Sequence, residues 1–217
     1  WSSTSSGLPP TAAATTGRPV AMASNIVFDT PSIKEGKTKI TGYGITGGEG
    51  RDYKKNPITK KELKDKRKIR HSKVGWINQP WLYKEIDHFV GIANQNAGWN
   101  FQWQRSESCQ FTIYTKGQYY GWHQDSWHET YKTPGALQGK IRKLSMTVSL
   151  SDQKEYSGGN LEFDFRAISK NKPWVCKEIN SKGSVVVFPS FVWHRVTPVT
   201  RGTRYSLVSW HTGDPFK

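Results

Sequence analysis

Tyr119-Tyr120-Gly121-Trp122-His123-Gln124-Asp125 is an aromatic, β-favouring stretch with a histidine and a carboxylate two residues apart. Side chains at i and i+2 of a strand leave the same face, so His123 and Asp125 can reach one metal ion together. A third ligand must come from a separate strand, and Phe191-Val192-Trp193-His194 supplies a second histidine. Two histidines and one carboxylate are the residue types of a facial triad, which holds Fe(II) on one side and leaves positions open for reactants. A His-x-Asp tripeptide arises by chance in many chains, so its surroundings decide the reading.

Those surroundings break into short β-favouring runs at 101–105, 109–114, 119–123, 143–150, 160–166, 174–179, 184–188, 193–196 and 203–210. Turn signals separate most of them: Lys116-Gly117, Thr133-Pro134-Gly135, Gly158-Gly159, Ser181-Lys182-Gly183 and Arg201-Gly202. Many short strands at this spacing predict a mainly β fold, a double-stranded β-helix or jelly roll. Leu82, Ile86, Phe89, Val90 and Ala93 recur at helical spacing. They predict an amphipathic helix over Pro80 to Ala93, flanking one outer face. Trp76-Ile77 reads as a short strand, and short strands are expected near Lys39 to Tyr43. Thr59 to Lys68 reads as a basic helix with Thr59 as N-cap and Glu62 at its third position.

The last of these runs, Arg204-Tyr205-Ser206-Leu207-Val208-Ser209-Trp210, alternates strictly, so Arg204 and Ser206 share a face. An arginine fork beside a hydroxyl suits the far carboxylate of a dicarboxylic acid, because its geometry and permanent charge match. A phenol at Tyr114 could add a further hydrogen bond.

With 217 residues, 35% of them hydrophobic, the chain suits one globular domain with extensions. No apolar run approaches the roughly 20 residues that cross a bilayer. Cys109 and Cys176 lack metal-ligand spacing and read as reduced, partly buried thiols, which fits a cytoplasmic location. Residues 1–24 read as a leader or disordered tail, 25–74 as a basic N-terminal extension and 75–217 as the catalytic domain. Net charge is +15, and residues 54–73 hold ten Lys/Arg against Glu62 and Asp65. Such a run contacts nucleic acid or acidic partners, or is simply solvated; charge alone assigns no partner. Nothing in the sequence fixes an oligomeric state.

Three blocks carry a family resemblance. They are Tyr114-x-x-x-x-Tyr119-Tyr120-x-x-His123-x-Asp125, then Arg142 to Leu150 with Gly158-Gly159-Asn160-Leu161-x-Phe163, and finally Phe188-Pro189-Ser190-x-x-Trp193-His194-x-Val196-x-Pro198-Val199-x-x-Gly202-x-Arg204-x-Ser206. Together they resemble the Fe(II)/2-oxoglutarate dioxygenases, most of all the prolyl 4-hydroxylase branch, across roughly Phe101 to His211. The resemblance implies that His123, Asp125 and His194 bind iron. It implies that Arg204, with Tyr114 and Ser206, takes the 2-oxoglutarate C5 carboxylate. Tyr120, Arg142 and Trp210 match positions lining a substrate proline. The implied reaction uses O2, releases succinate and CO2, and draws on ascorbate to keep iron reduced. Its substrate would be a proline-containing peptide or protein, with a lysyl side chain or free amino acid as variants.

An AlkB-type nucleic-acid demethylase shares the triad, and the charge keeps it in view. That group carries a second arginine six residues after its 2-oxoglutarate arginine, where this chain has Trp210. A non-enzymatic jelly-roll binding module would require the triad to be coincidental. Ser126 to Gly139 is a long insertion, expected to act as a lid over the site with a hinge at Pro134-Gly135. Its His128 is more readily a solvent-facing residue than a fourth ligand.

Overall fold

The computed structural model describes residues 21–23, 40–43, 59–126, 129–165 and 172–217. Two helices are present among them, α1 (Lys60–Ile69) and α2 (Pro80–Asn96). The first strands are β1 (Ala21–Ala23), β2 (Ile40–Tyr43), β3 (Arg70–His71), β4 (Lys73–Ile77), β5 (Arg105–Ser106), β6 (Cys109–Thr115) and β7 (Tyr119–His123). There follow β8 (Ile141–Ser149), β9 (Tyr156–Gly158), β10 (Leu161–Phe163), β11 (Trp174–Val175), β12 (Val185–Pro189), β13 (His194–Val196) and β14 (Val199–Gly213).

The strands form two antiparallel sheets. The larger runs β1-β12-β8-β14-β6-β4-β2, with β5 and β9 also paired to β14. The smaller runs β11-β10-β13-β7-β3. This is the expected mainly β, double-sheet architecture with a helix on one outer face. The pocket lies between the sheets, lined from the larger by Gln110, Tyr114, Thr147 and Arg204 and from the smaller by Tyr120, His123, Leu161 and His194.

Strict alternation makes the larger sheet two-faced. Phe111, Leu144, Met146, Val148, Val185, Val187 and Leu207 point outward and pack against Leu82, Ile86, Val90 and Ala93 of α2. Burying each such aliphatic side chain is worth about 1.5–3 kcal/mol. The alternate residues, Gln110, Tyr114, Thr147, Arg204, Ser206 and Trp210, are buried facing the pocket. Pro80 opens α2 without a missing hydrogen bond, since the first-turn N–H has no helical partner. Asn94 closes it, its side chain bonding both the N–H and the carbonyl of Phe101 at 3.0 Å.

Several expected boundaries move. Of 101–105 only Arg105 enters a strand, because Phe101 is engaged by Asn94 and Trp103 packs against the helix cluster. The run 160–166 shortens to Leu161–Phe163, and residues 166–171 lie outside the described residues. After Trp174–Val175 the chain turns into a 3-10 helix, Lys177–Asn180, which buries Ile179. The strand β9 was not foreseen; Tyr156 to Gly158 contains the glycine of a turn signal and pairs with β14. Within the expected tail, Ala21–Ala23 pairs with Val185–Val187 of β12. Within the expected basic extension, β3 joins the smaller sheet and β4 the larger, so the chain crosses between sheets at Ser72. The capping box of α1 is present: Thr59 Oγ1 accepts from the Glu62 N–H at 3.2 Å and Glu62 Oε2 from the Thr59 N–H at 2.8 Å.

Candidate active site

Antiparallel pairing brings the two histidines together, with His194 of β13 registered directly on His123 of β7. Asp125 follows two residues after His123, and its N–H donates to the Ser190 carbonyl at 2.9 Å. Asp125 Oδ1 lies 3.7 Å from His123 Nε2, and Oδ2 lies 3.5 Å from His194 Nε2. The three ligand atoms lie within 4.8 Å of one another, a spacing that one metal ion can bridge.

The hydrogen bonds behind these atoms set their chemistry. His123 Nδ1 sits 2.8 Å from the Gly121 carbonyl, and His194 Nδ1 sits 2.9 Å from the Val192 carbonyl. A carbonyl only accepts, so each Nδ1 carries the proton and each Nε2 lone pair faces the site. Burial, and then the neighbouring His194, pull the His123 imidazole down to about 3, so it stays neutral near pH 7. Burial alone would raise the Asp125 carboxyl; His194, His123 and Arg142 outweigh it and bring the group down to about 2. Ser145 Oγ donates to Asp125 Oδ2 at 2.8 Å and meets Ser190 Oγ at 2.9 Å. Two imidazoles that turn Nε2 toward the site and one ionised carboxylate are a donor set that fits Fe(II). Tyr120 stacks on His123 with ring centroids 3.5 Å apart, and Phe188 meets the His194 ring edge-on at 4.7 Å.

Deeper in the pocket Arg204 is almost fully buried, at 2% exposure. Its Nη1 donates to Ser206 Oγ at 3.3 Å, and its guanidinium lies 5.6 Å from the Tyr114 ring. Among the described residues no carboxylate pairs with it. A buried, unpaired cation is costly, and the arrangement fits an anionic ligand group that enters the pocket. Gly159 makes room for it: at φ +61°, a Cβ there would stand 3.1 Å from Arg204 Cδ and 2.9 Å from Val199 Cγ2.

The expected substrate positions separate. Tyr120 and Trp210 line the pocket. Arg142 does not; its Nε and Nη2 each donate at 2.7 Å to Glu107, and its guanidinium lies 4.0 Å from the Trp210 ring. Tyr131, from the expected lid, donates to Glu107 Oε1 at 2.8 Å and so ties that insertion to the same cluster. Trp127 and His128 lie outside the described residues.

Of the charged residues that line the pocket, Arg70 escaped the sequence reading. Arg70 is buried, donates to Ser72 Oγ at 2.9 Å, lies 4.5 Å over the Tyr120 ring and leaves Nη2 without a partner. Within a run of basic residues it looked like surface charge. The alternation of Arg70, Ser72, Val74 and Trp76 was the available signal for a strand face.

Residues 109–212 match the 2OG-Fe(II) oxygenase superfamily. The chain is 36% identical over 102 residues to a PKHD-type hydroxylase of Acidovorax ebreus, covering 46% of this chain and 41% of that protein. It is 37% identical over 98 residues to a PKHD-type hydroxylase of Hyphomonas neptunium, covering 44% and 38%. The chain thus matches about two fifths of these relatives' length. Among solved structures, a Pseudomonas putida prolyl-4-hydroxylase aligns over 66% of this chain and 73% of its own, at TM-score 0.49 and 23% identity.

Proposed function

We infer that this protein, whose residues 109–212 match the 2OG-Fe(II) oxygenase superfamily, is an Fe(II)- and 2-oxoglutarate-dependent dioxygenase that hydroxylates prolyl residues of a peptide or protein. One observation carries the reading: a His-Asp-His ligand set and a buried arginine with no carboxylate partner among the described residues line the same pocket.

His123, Asp125 and His194 would hold the iron on one side, leaving the pocket side open. Arg204 would take the C5 carboxylate of 2-oxoglutarate, with Ser206 and Tyr114 supplying hydroxyls. Fe(II) with 2-oxoglutarate and O2 supplies the oxidising power, at the cost of the cosubstrate, which leaves as succinate and CO2. Leu161, Phe188 and Val196 give the pocket apolar walls that exclude water. Tyr120 and Trp210 would flank a proline ring, while Glu107 and Trp210 fix Arg142 at the rim. Ascorbate would serve as reductant. No helix among the described residues is long and apolar enough to cross a membrane, and both cysteines are free and buried, which supports a reducing, cytoplasmic setting.

A variant of this reading has its own observation. The spare Nη2 of Arg70 favours a substrate with an acceptor near the reacting carbon, such as the carboxylate of a free amino acid. Trp210, standing where a nucleic-acid demethylase would carry its second arginine, speaks against that class.

The test is anaerobic binding of Fe(II) and 2-oxoglutarate, followed by succinate formation in air with a proline-rich peptide or free proline. Peptide-stimulated succinate with a product about 16 Da heavier, one added oxygen atom, supports the hydroxylase. Absence of metal-dependent cosubstrate binding would sink the enzyme.

A further inference from the structure

The helix α1 carries Lys60, Lys61, Lys64, Lys66, Arg67 and Lys68 against Glu62 and Asp65, and none of its residues is buried. Glu62 is engaged in the capping box, and Asp65 takes Lys68 at 2.7 Å. Lys60, Lys61, Lys64 and Arg67 are exposed, and no carboxylate of the described residues pairs with them. Spacings of three and four put Lys60, Lys64 and Arg67 on one stripe, with Lys61 beside it.

This stripe leads straight to the pocket. Tyr119 Oη donates to the carbonyls of Arg67 and Lys68 at 3.0 Å, fixing the last turn of α1 on β7. The next residue but one, Arg70, lines the pocket. Whatever seats a side chain beside the His-Asp-His cluster therefore leaves its flank near a cationic helix.

We propose that the exposed basic face of α1 is a docking surface for an acidic polypeptide segment flanking the residue that enters the pocket. The assignment rests on the hydroxylase reading and adds a sequence preference to it. Charge complementarity selects an acidic partner. Single-stranded nucleic acid takes much of its affinity from aromatic stacking, and residues 60–69 contain no aromatic. They offer instead Ile69, exposed to 47%, an aliphatic contact suited to a peptide side chain. The ten-residue helix is about 15 Å long. An extended chain crosses that length in about five residues, so the acidic positions fall within that reach of the modified residue.

Fluorescence anisotropy tests this with two labelled peptides that share a proline-containing core, one flanked by glutamates and one by glutamines. The glutamate peptide is expected to bind about tenfold tighter, with the difference fading at high salt. A variant carrying Lys60→Glu, Lys61→Glu, Lys64→Glu and Arg67→Glu should lose the difference, and the matching glutamine substitutions should reduce it. Equal affinities in the native protein, or an undiminished preference in the reversed variant with an unchanged circular dichroism spectrum, overturn the proposal. So does a single-stranded oligonucleotide that binds α1 more tightly than the glutamate peptide and displaces it. Succinate formation without peptide is read in the same samples and should be equal in all variants. Its absence from the native protein would end the oxygenase reading while the anisotropy result stands on its own.

Discussion

The orientation of the Asp125 carboxylate is set by its neighbours. Ser145 donates to the oxygen that faces His194, and the Ser190 carbonyl holds the Asp125 backbone. Removing that orientation with Ser145→Ala should weaken Fe(II) or Mn(II) affinity about 10–100-fold, read by metal titration at unchanged fold. An unaltered affinity would show that the carboxylate is set by its backbone alone. His123→Ala, Asp125→Ala and His194→Ala should each abolish succinate formation. Arg204→Ala should raise the 2-oxoglutarate requirement about 10–100-fold, the equivalent of a charge-assisted contact, while metal affinity holds. Saturation at the native cosubstrate level would remove Arg204 from that role. That His123 and Asp125 come together, and Arg204 and Ser206 likewise, was legible because i, i+2 spacings are set by strand geometry. The sequence did not disclose Ser145 or Arg70, because Ser145 meets Asp125 across 20 residues and Arg70 meets Gln110 across 40.

At the scale of elements, α1 meets β7 in a tight join beside the site. A Cβ on Gly121 would lie 3.1 Å from the Ile69 carbonyl, while the Gly121 carbonyl holds His123. Gly121→Ala should therefore shift the His123 ring and weaken metal binding severalfold with little loss of stability. The opposite signature belongs to α2: Leu82→Ala should cost about 2–5 kcal/mol of stability and leave metal affinity intact. Chemical denaturation alongside metal titration separates the two. Both helices could be read from periodicity and capping residues. The strands β1, β3 and β9 could not, because a strand of two or three residues is made by its partner, not by its own composition.

Across the whole molecule the two sheets bury both cysteines. Burial pushes the Cys109 thiol up to about 11 and the Cys176 thiol up to about 12. Both stay protonated at pH 8, so iodoacetamide should label them only after unfolding; rapid labelling of the native protein would contradict the packing. The sign for stability follows. An unfolded thiol ionises near pH 9 and the folded ones do not, so this contribution is full below pH 9 and is lost between about pH 9 and 12.

The expected two-layer β architecture was legible because turn signals recur between the strands. How the N-terminal segments stitch the layers was not, since a basic run carries no periodicity strong enough to outweigh its charge. That layering divides the chemistry. Both histidines ride on the smaller sheet, while Arg204 and Ser206 ride on β14 of the larger. Hydrogen-bond registers fix distances within each sheet, while side-chain contacts such as Phe188 against His194 set the distance between them. Two polar contacts also bridge the layers, Asp125 through Ser145 of β8 and Arg70 of β3 through Gln110 of β6. The gap between layers is thus a gauge that can be reset without touching any ligand. Trimming Phe188 to leucine should leave each reactant's affinity near native yet loosen the match between 2-oxoglutarate consumed and product hydroxylated.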